Sequence, residues 1–154
     1  MPLELKIRMA TMDDAELLFR WANDPETRKN SFNSNIIRWE DHIKWLNSKI
    51  YDPKSNIYIL TLDNSPIGTT KTEQTSDTII GITVAPEYRG KGLGSAMIKK
   101  TCEKYWESND NDIFAYIKSM NVKSKNVFEK AGFIFFETKK KDNINCEVFK
   151  TVKK

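Results

Sequence analysis

The chain has 154 residues, of which 39% are hydrophobic, with a formal net charge of +4 and a pI near 9.0. This length supports one hydrophobic core and predicts a single domain over residues 1–154. The charge suits small anionic ligands, but the cations are too scattered to predict a nucleic-acid partner. No apolar run reaches membrane length and no signal-peptide core begins the chain. Cys102 and Cys146 lack metal-site spacing, so we predict reduced thiols, no metal, no membrane partner and a cytoplasmic protein.

The first third of the chain predicts one strand and two helices. Alternation predicts a strand over Leu3–Met9, and Thr11 with Asp14 forms a capping box before a helix. That helix places four residues on one face: Ala15, Leu18, Phe19 and Ala22. We expect Asp24-Pro25 to end it. A second helix has one apolar stripe of Trp39, Ile43, Leu46 and Ile50, and an adjacent stripe of His42, Trp45 and Lys49.

Three strands follow. Residues 57–62 and 67–71 alternate as strands, and the turn residues 63–66 join them as a hairpin. Residues 78–84 predict a third strand.

A glycine-rich loop comes directly after the third strand. Gly90, Gly92 and Gly94 let the backbone approach a ligand, and a helix N-terminus after them offers unpaired N–H groups to a phosphate. Arg89 and Lys91 add two cations. A Walker loop requires Lys-Ser/Thr after its last glycine, and the dinucleotide motif has a different glycine spacing. The loop therefore predicts a pyrophosphate site of neither type.

The last third alternates helices and strands. A long helix runs from the loop to about Trp106, and strands are predicted over 112–117, 133–138 and 146–151. A helix beginning at Asn121 ends at Gly132, with Ser124, Val127, Phe128 and Ala131 on one face. We expect Lys139–Lys141 to lie in a hairpin turn. From periodicity alone the chain is a mixed α/β domain.

Two motifs in this chain resemble those of a known family. Arg89-x-x-Gly92-x-Gly94 resembles the pyrophosphate signature of the GNAT N-acetyltransferase superfamily, which binds acetyl-CoA. Asn121-x-x-Ser124-x-x-x-Phe128 followed by Gly132-Phe133 resembles its C-terminal motif. The resemblance implies a central mixed sheet of about seven strands, splayed at the acetyl-CoA site, with helices on both faces. It implies cofactor contacts from Ile82, Thr83, Val84, Arg89, Gly90, Lys91, Gly92, Leu93, Gly94, Ser95, Asn121, Ser124 and Phe128.

The N-terminal half of the chain contains motifs that indicate the acceptor, the amine substrate that receives the acetyl group. Trp21-Ala22-Asn23-Asp24-Pro25 and Glu40-x-His42-x-x-Trp45 resemble GNAT enzymes that acetylate nucleotide-linked deoxy-aminosugars, as in pseudaminic acid biosynthesis. The resemblance implies substrate binding by Arg28, Ser31, Phe32 and Trp45, with Arg28 gripping a phosphate and the aromatic rings stacking on a sugar or base. Ribosomal-protein N-terminal acetyltransferases share the opening motif, and packing remains an alternative role for each tryptophan.

The sequence does not decide which residues are the catalytic acid and base. Many relatives have a glutamate where Ile79 stands and a tyrosine where Phe128 stands. We therefore expect a neutral amine to attack the thioester, with His42, Glu73 or Asp77 removing its proton through water. Two other functions remain: acetylation of a protein N-terminus or polyamine, and non-catalytic acyl-CoA sensing. The sequence also leaves a homodimer open.

Overall fold

A computed structural model describes residues 3–154 as one mixed sheet flanked by helices. The strands are β1 (Leu5–Met9), β2 (Ser55–Leu62), β3 (Ser65–Gln74), β4 (Thr78–Val84), β5 (Ile113–Lys118), β6 (Ile134–Lys141) and β7 (Ile144–Thr151). The helices are α1 (Ala15–Ala22), α2 (Pro25–Asn30), α3 (Trp39–Ile50), α4 (Leu93–Trp106) and α5 (Val122–Lys130). None of the helices in this described range is long and apolar enough to cross a membrane.

The strands lie in the order β1-β2-β3-β4-β5-β7-β6. Neighbouring strands are antiparallel except β4 and β5, which run parallel and are connected through α4. Parallel neighbours require such a crossover, and the helix of the glycine loop provides it. The predicted mixed sheet of about seven strands is confirmed.

Helices cover both faces of the sheet, as predicted. On one face, α1 and α3 pack through Leu18 and Leu46 against Ile57 and Ile59 of β2. On the other, Ile98 of α4 and Phe128 of α5 pack against the inward residues of β5. Trp21 is buried in the first of these cores, which is the packing role considered from the sequence.

One local prediction was confirmed in part and one was wrong. The first helix does end directly before Asp24-Pro25, at Ala22, but the sequence missed the short helix α2 that begins there. Asp24 caps α2 by accepting a hydrogen bond from the Thr27 backbone N–H at 3.2 Å, and proline fits the first helical position. Lys139–Lys141 lie in β6 and not in a turn. The turn is Asp142-Asn143, whose positive φ values of 52° and 64° suit a two-residue hairpin loop. Lysines on an exposed edge strand also discourage pairing with another chain.

Candidate active site

The sheet opens between β4 and β5. Their pairing is confined to Thr78 with Ile113 and Ile79 with Phe114, although β4 continues to Val84. Beyond Ile79, the edge of β4 that faces β5 has no strand partner among residues 3–154. Backbone N–H and C=O groups on such an edge need another hydrogen-bonding partner. This open edge includes Ile82, Thr83 and Val84, the residues predicted to hold the pantetheine arm.

The glycine loop leads from the end of β4 into α4. Gly90 and Gly92 have φ values of +76° and +73°, in the region that favours glycine. Gly92 is the N-cap of α4 and provides no side chain to satisfy the first N–H groups of the helix. Gly94 has a different role, since a Cβ there would lie 2.9 Å from Val127 Cγ1 of α5. The loop thus has the unpaired N–H groups that a pyrophosphate requires.

The Arg89 side chain does not extend over this loop. Its guanidinium pairs with Asp24 at 2.7 Å and Glu26 at 3.0 Å, and it donates to the Val84 carbonyl at 3.1 Å. Burial raises the pKa of Asp24, but the bonds from Arg89 and Thr27 outweigh it and lower that pKa below its usual value. Most of the Arg89 donors are therefore engaged within the protein, and its predicted contact with the pyrophosphate stays a prediction. Lys91 is exposed at the loop, with its ammonium 5.8 Å from the Tyr88 ring.

The start of α5 lies opposite α2 across a groove. Asn121 Oδ1 accepts a hydrogen bond from the Ser124 backbone N–H at 3.1 Å, so Asn121 is a helix cap. It also lines the groove with Pro25, Glu26, Lys29 and Asn30 of α2. Its contact with a cofactor amide remains a prediction, as does that of the half-buried Ser124. Phe128 differs, because its ring is 3% exposed and packs edge-on at 5.0 Å against Phe133. It belongs to the core, contrary to its predicted cofactor role.

Arg28 has a different role from the one predicted. Its guanidinium donates to the Ala22 carbonyl at 2.6 Å, to the Asn33 carbonyl at 2.8 Å and to Ser31 Oγ at 3.1 Å. These bonds connect α2 to the end of α1 and to the segment between α2 and α3. The structure therefore gives no support to the predicted contact of Arg28 with a phosphate of the substrate. Ser31 is likewise engaged, because its hydroxyl donates to the Thr27 carbonyl at 2.7 Å.

Two of the three predicted bases are not free proton acceptors, and the third, Asp77, lies at the end of β4 away from the opening. His42 is 2% exposed, its Nε2 donates to the Ala15 carbonyl at 2.9 Å, and burial lowers its pKa. Glu73 is engaged with Lys49 at 2.8 Å. Asp77 is exposed at the turn between β3 and β4. Glu73 does pair with Ile79 across the sheet, next to the position where many relatives have glutamate.

The α1–α3 face of the sheet has a group of aromatic and cationic side chains beside the opening. Lys71 faces this side, because it pairs with Ile57, whose side chain packs against α1 and α3. Tyr116 faces it too, since its neighbours Ala115 and Ile117 point into the opposite core. We call Phe32, Trp45, Lys71, Tyr116 and Lys141 the basic aromatic cluster.

The contacts of this cluster extend from α3 to β6. The Lys71 ammonium is 5.5 Å from the Trp45 ring, and the Lys141 ammonium is 5.1 Å from Phe32 and 5.2 Å from Tyr116. Such distances are those of cation–π contacts. Phe32 and Trp45 were predicted from the sequence. Lys71, Tyr116 and Lys141 were missed, because only the strand register places them on this face.

Comparison with known proteins identifies the family. The acetyltransferase (GNAT) domain model matches residues 4–134. The chain belongs to the GNAT family. The predicted fold and the predicted class of enzyme, an acetyl-CoA-dependent N-acetyltransferase, are confirmed. No curated protein sequence matches the chain.

Solved structures share this fold at low identity. The aminoglycoside acetyltransferase AAC(6')-Ib in complex with coenzyme A is 18% identical with a TM-score of 0.83, over 97% of this chain and 95% of that one. The spermidine N-acetyltransferase from Vibrio cholerae in complex with CoA and spermine is 15% identical with a TM-score of 0.84, over 96% and 95%. A domain from Methanocaldococcus jannaschii is 23% identical with a TM-score of 0.81, over 97% and 100%.

Proposed function

We propose that this GNAT enzyme transfers the acetyl group of acetyl-CoA to a primary amine on a nucleotide-linked deoxy-aminosugar. The observation that carries the proposal is the basic aromatic cluster beside the opening of the sheet. Its rings suit a sugar or a base, and the Lys141 ammonium suits a phosphate.

The cofactor half of the proposal rests on two features. The open edge of β4 offers backbone groups to the amides of the pantetheine arm, and the N-terminus of α4 offers N–H groups to the pyrophosphate. The chain's residues therefore fit acetyl-CoA. Lys91 adds an exposed cation at the loop, in place of the engaged Arg89.

The charge around the cluster favours an anionic acceptor. Lys49, Lys141 and Arg28 all act electrostatically on Lys71. Among the described residues, Glu73 acts in the opposite direction, and it is already paired with Lys49. Like charges across an interface oppose binding. Spermine, named in one similar structure, and the aminoglycosides named in others are polycations, which this face would repel. A nucleotide-linked sugar brings a diphosphate that it would attract.

A substrate panel tests the proposal. Purified protein with saturating acetyl-CoA is assayed by thiol release on a UDP-linked 4-amino sugar, spermidine, kanamycin and a peptide with a free N-terminus. We expect the nucleotide sugar to have the highest kcat/KM. A better peptide or polyamine would replace the acceptor proposed here, and thiol release with none of the amines would favour acyl-CoA sensing.

A matched pair of variants assigns the preference to the cluster. Lys141→Met removes a cation from the cluster, whereas Lys140→Met removes a cation from the adjacent, exposed position of β6, which points to the other face. Loss of a charge-assisted contact should lower kcat/KM for the nucleotide sugar about 10-fold in Lys141→Met. We expect Lys140→Met to behave as the wild type. Equal effects of the two substitutions would remove Lys141 from the acceptor site.

A further inference from the structure

Lys71 lies at the centre of the sheet beside the open edge of β4. It pairs with Gly81, which is on the strand proposed to bind pantetheine. A Cβ added at Gly81 would lie 3.2 Å from Lys71 Cε and 3.4 Å from Lys71 Cγ, so the lysine chain lies directly over the glycine. Glycine at this position thus leaves room for the lysine to extend across β4. The Lys71 side chain reaches the place where cofactor and acceptor have to meet.

In the part of the chain that the structure describes, no hydrogen bond or ion pair joins the Lys71 ammonium to another residue. It makes a cation–π contact with the Trp45 ring, 5.5 Å away. Glu73, two residues along β3, bonds to Lys49 of α3. The other cations that act on it are Lys141 of β6 and Arg28 of α2.

These surroundings favour the neutral amine. Desolvation is the largest cause and lowers the pKa of Lys71. Lys49, Lys141 and Arg28 lower it further, while Glu73 acts in the opposite direction. Lys71 is nevertheless exposed to solvent, so its desolvation is only partial. A lysine that is partly desolvated and has several cations around it can serve an enzyme as a base.

We propose that Lys71 is the general base of the acetyl transfer. Its neutral Nζ takes one proton from the acceptor ammonium, and the free amine then forms the N–C bond with the thioester carbonyl carbon. The C–S bond breaks, the thiolate leaves with the electron pair, and the second proton of the attacking nitrogen passes to the thiolate through solvent. Lys71 then returns its proton to solvent.

This role fills a gap that the other candidates leave. The glutamate typical of relatives is Ile79 here, His42 is buried against Ala15, and Glu73 is paired with Lys49. Lys71 lies two residue pairs along the ladder from Ile79, on the same face of the sheet. A base at this position is therefore supplied from β3 instead of β4. The inference rests on the proposed function only in that the reaction is acetyl transfer to an amine. It does not depend on which amine is the acceptor, because any amine acceptor requires the same deprotonation.

Two substitutions at Lys71 separate a base from a simple cation. Lys71→Arg keeps the positive charge but cannot accept a proton, and Lys71→Met keeps much of the length without charge. We expect both to lower kcat/KM about 100-fold or more at neutral pH, with acetyl-CoA affinity by calorimetry within about two-fold of the wild type. The deficit should shrink as pH rises toward the pKa of the acceptor amine. Lys44→Met, which removes an exposed cation from α3, is the control for charge and should leave kcat/KM unaltered.

Three outcomes overturn the proposal. Near-wild-type activity in Lys71→Arg together with a loss in Lys71→Met would make Lys71 an anion-binding cation. Full activity in both would remove it from the mechanism. An unchanged deficit across the pH range would point to positioning of the acceptor.

A second measurement needs neither acceptor nor activity. Trace acetylation of the folded protein with acetic anhydride at a series of pH values, with peptides quantified by mass spectrometry, gives the titration of each lysine. Lys71 should become reactive at lower pH than Lys44. Titration of the two lysines together would overturn the proposal. The kinetic series uses whichever amine is best in the panel, so failure of the aminosugar leaves the test of Lys71 intact.

Discussion

At the scale of single residues, Arg28 and Arg89 are used by the chain for its own structure. Each was a reasonable anion ligand in the sequence, because a guanidinium next to turn residues suits phosphate. In the fold, Arg28 donates to the Ala22 carbonyl at the end of α1 and to the Asn33 carbonyl after α2, and Arg89 bonds to Asp24 and Glu26 at the start of α2. These contacts shape the walls of the site instead of binding its ligands.

We expect Arg28→Ala to lower stability as well as activity. The side chain makes several charge-assisted bonds to carbonyls, so its loss should cost on the order of 2 kcal/mol in the free energy of unfolding. Arg28→Lys should recover little, because one ammonium cannot reach several carbonyls that a planar fork reaches. Urea unfolding measures the cost. Unchanged stability with a raised KM for the acceptor would restore the direct phosphate contact predicted from the sequence.

A second residue-scale prediction concerns Gly92. Valine at φ +73° is strained, and a side chain there would stand on the loop that is proposed to hold the pyrophosphate. We expect Gly92→Val to abolish measurable acetyl-CoA binding in calorimetry while the protein stays folded. Gly132→Val is the matched control, since Gly132 also has a positive φ, +98°, but follows the far end of α5. Gly132→Val should lose stability and keep its affinity for acetyl-CoA. Equal affinities of the two variants for acetyl-CoA would exclude the glycine loop as the pyrophosphate site.

At the scale of elements, α2 connects the glycine loop to the start of α5. Asp24 and Glu26 bind Arg89 after β4, Glu26 lies 3.7 Å from Lys123 of α5, and the Lys29 carbonyl accepts from Lys118 at the end of β5 at 2.8 Å. The helix therefore spans the opening between β4 and β5. A six-residue helix has little stability of its own, so these contacts hold it there.

The Asp24–Arg89 pair gives a pH-dependent test of this connection. Asp24→Asn keeps a capping oxygen but loses the charge, which should cost about 1 kcal/mol at neutral pH. Because the pKa of Asp24 is lowered in the folded state, its contribution is complete above the unfolded value of about 3.9 and is lost as pH falls through the folded value. Urea unfolding should therefore show a constant difference between pH 5 and 8 that shrinks below about pH 4. Glu129→Gln, at an exposed site on α5, should stay within about 0.5 kcal/mol of the wild type throughout. A difference that persists at pH 3 would contradict the ion pair.

The features found from the sequence are those that depend on neighbours along the chain. The glycine loop, the start of α5 after Asn121 and the hairpin after β2 are set by local backbone preferences, and each formed where expected. His42 could not be placed in this way, since its burial depends on α1 packing against α3. Lys71 is the clearest case. Only the pairing of β3 with both β2 and β4 puts it over Gly81, and register between strands is set by tertiary packing.

At the scale of the whole molecule, the proposed function places an anionic ligand near each of two cations, Lys91 at the glycine loop and Lys141 in the basic aromatic cluster. Exposed charges attract a ligand over roughly one Debye length, about 10 Å in 0.1 M salt. The positive charge of the basic aromatic cluster should therefore increase the rate at which an anionic acceptor binds.

Ionic strength tests this distribution. With acetyl-CoA held saturating, so that only acceptor capture varies, kcat/KM for the UDP-linked 4-amino sugar should fall at least about three-fold as NaCl rises from roughly 20 to 300 mM, because salt screens the attraction. For spermidine, which the same face repels, kcat/KM should rise. Lys141→Met should flatten the dependence for the nucleotide sugar, while Lys140→Met, on the opposite face of β6, should keep the wild-type slope. A fall in kcat/KM for spermidine with a rise for the nucleotide sugar would mean that the acceptor meets a negative surface, and the basic aromatic cluster would then lie outside the acceptor site.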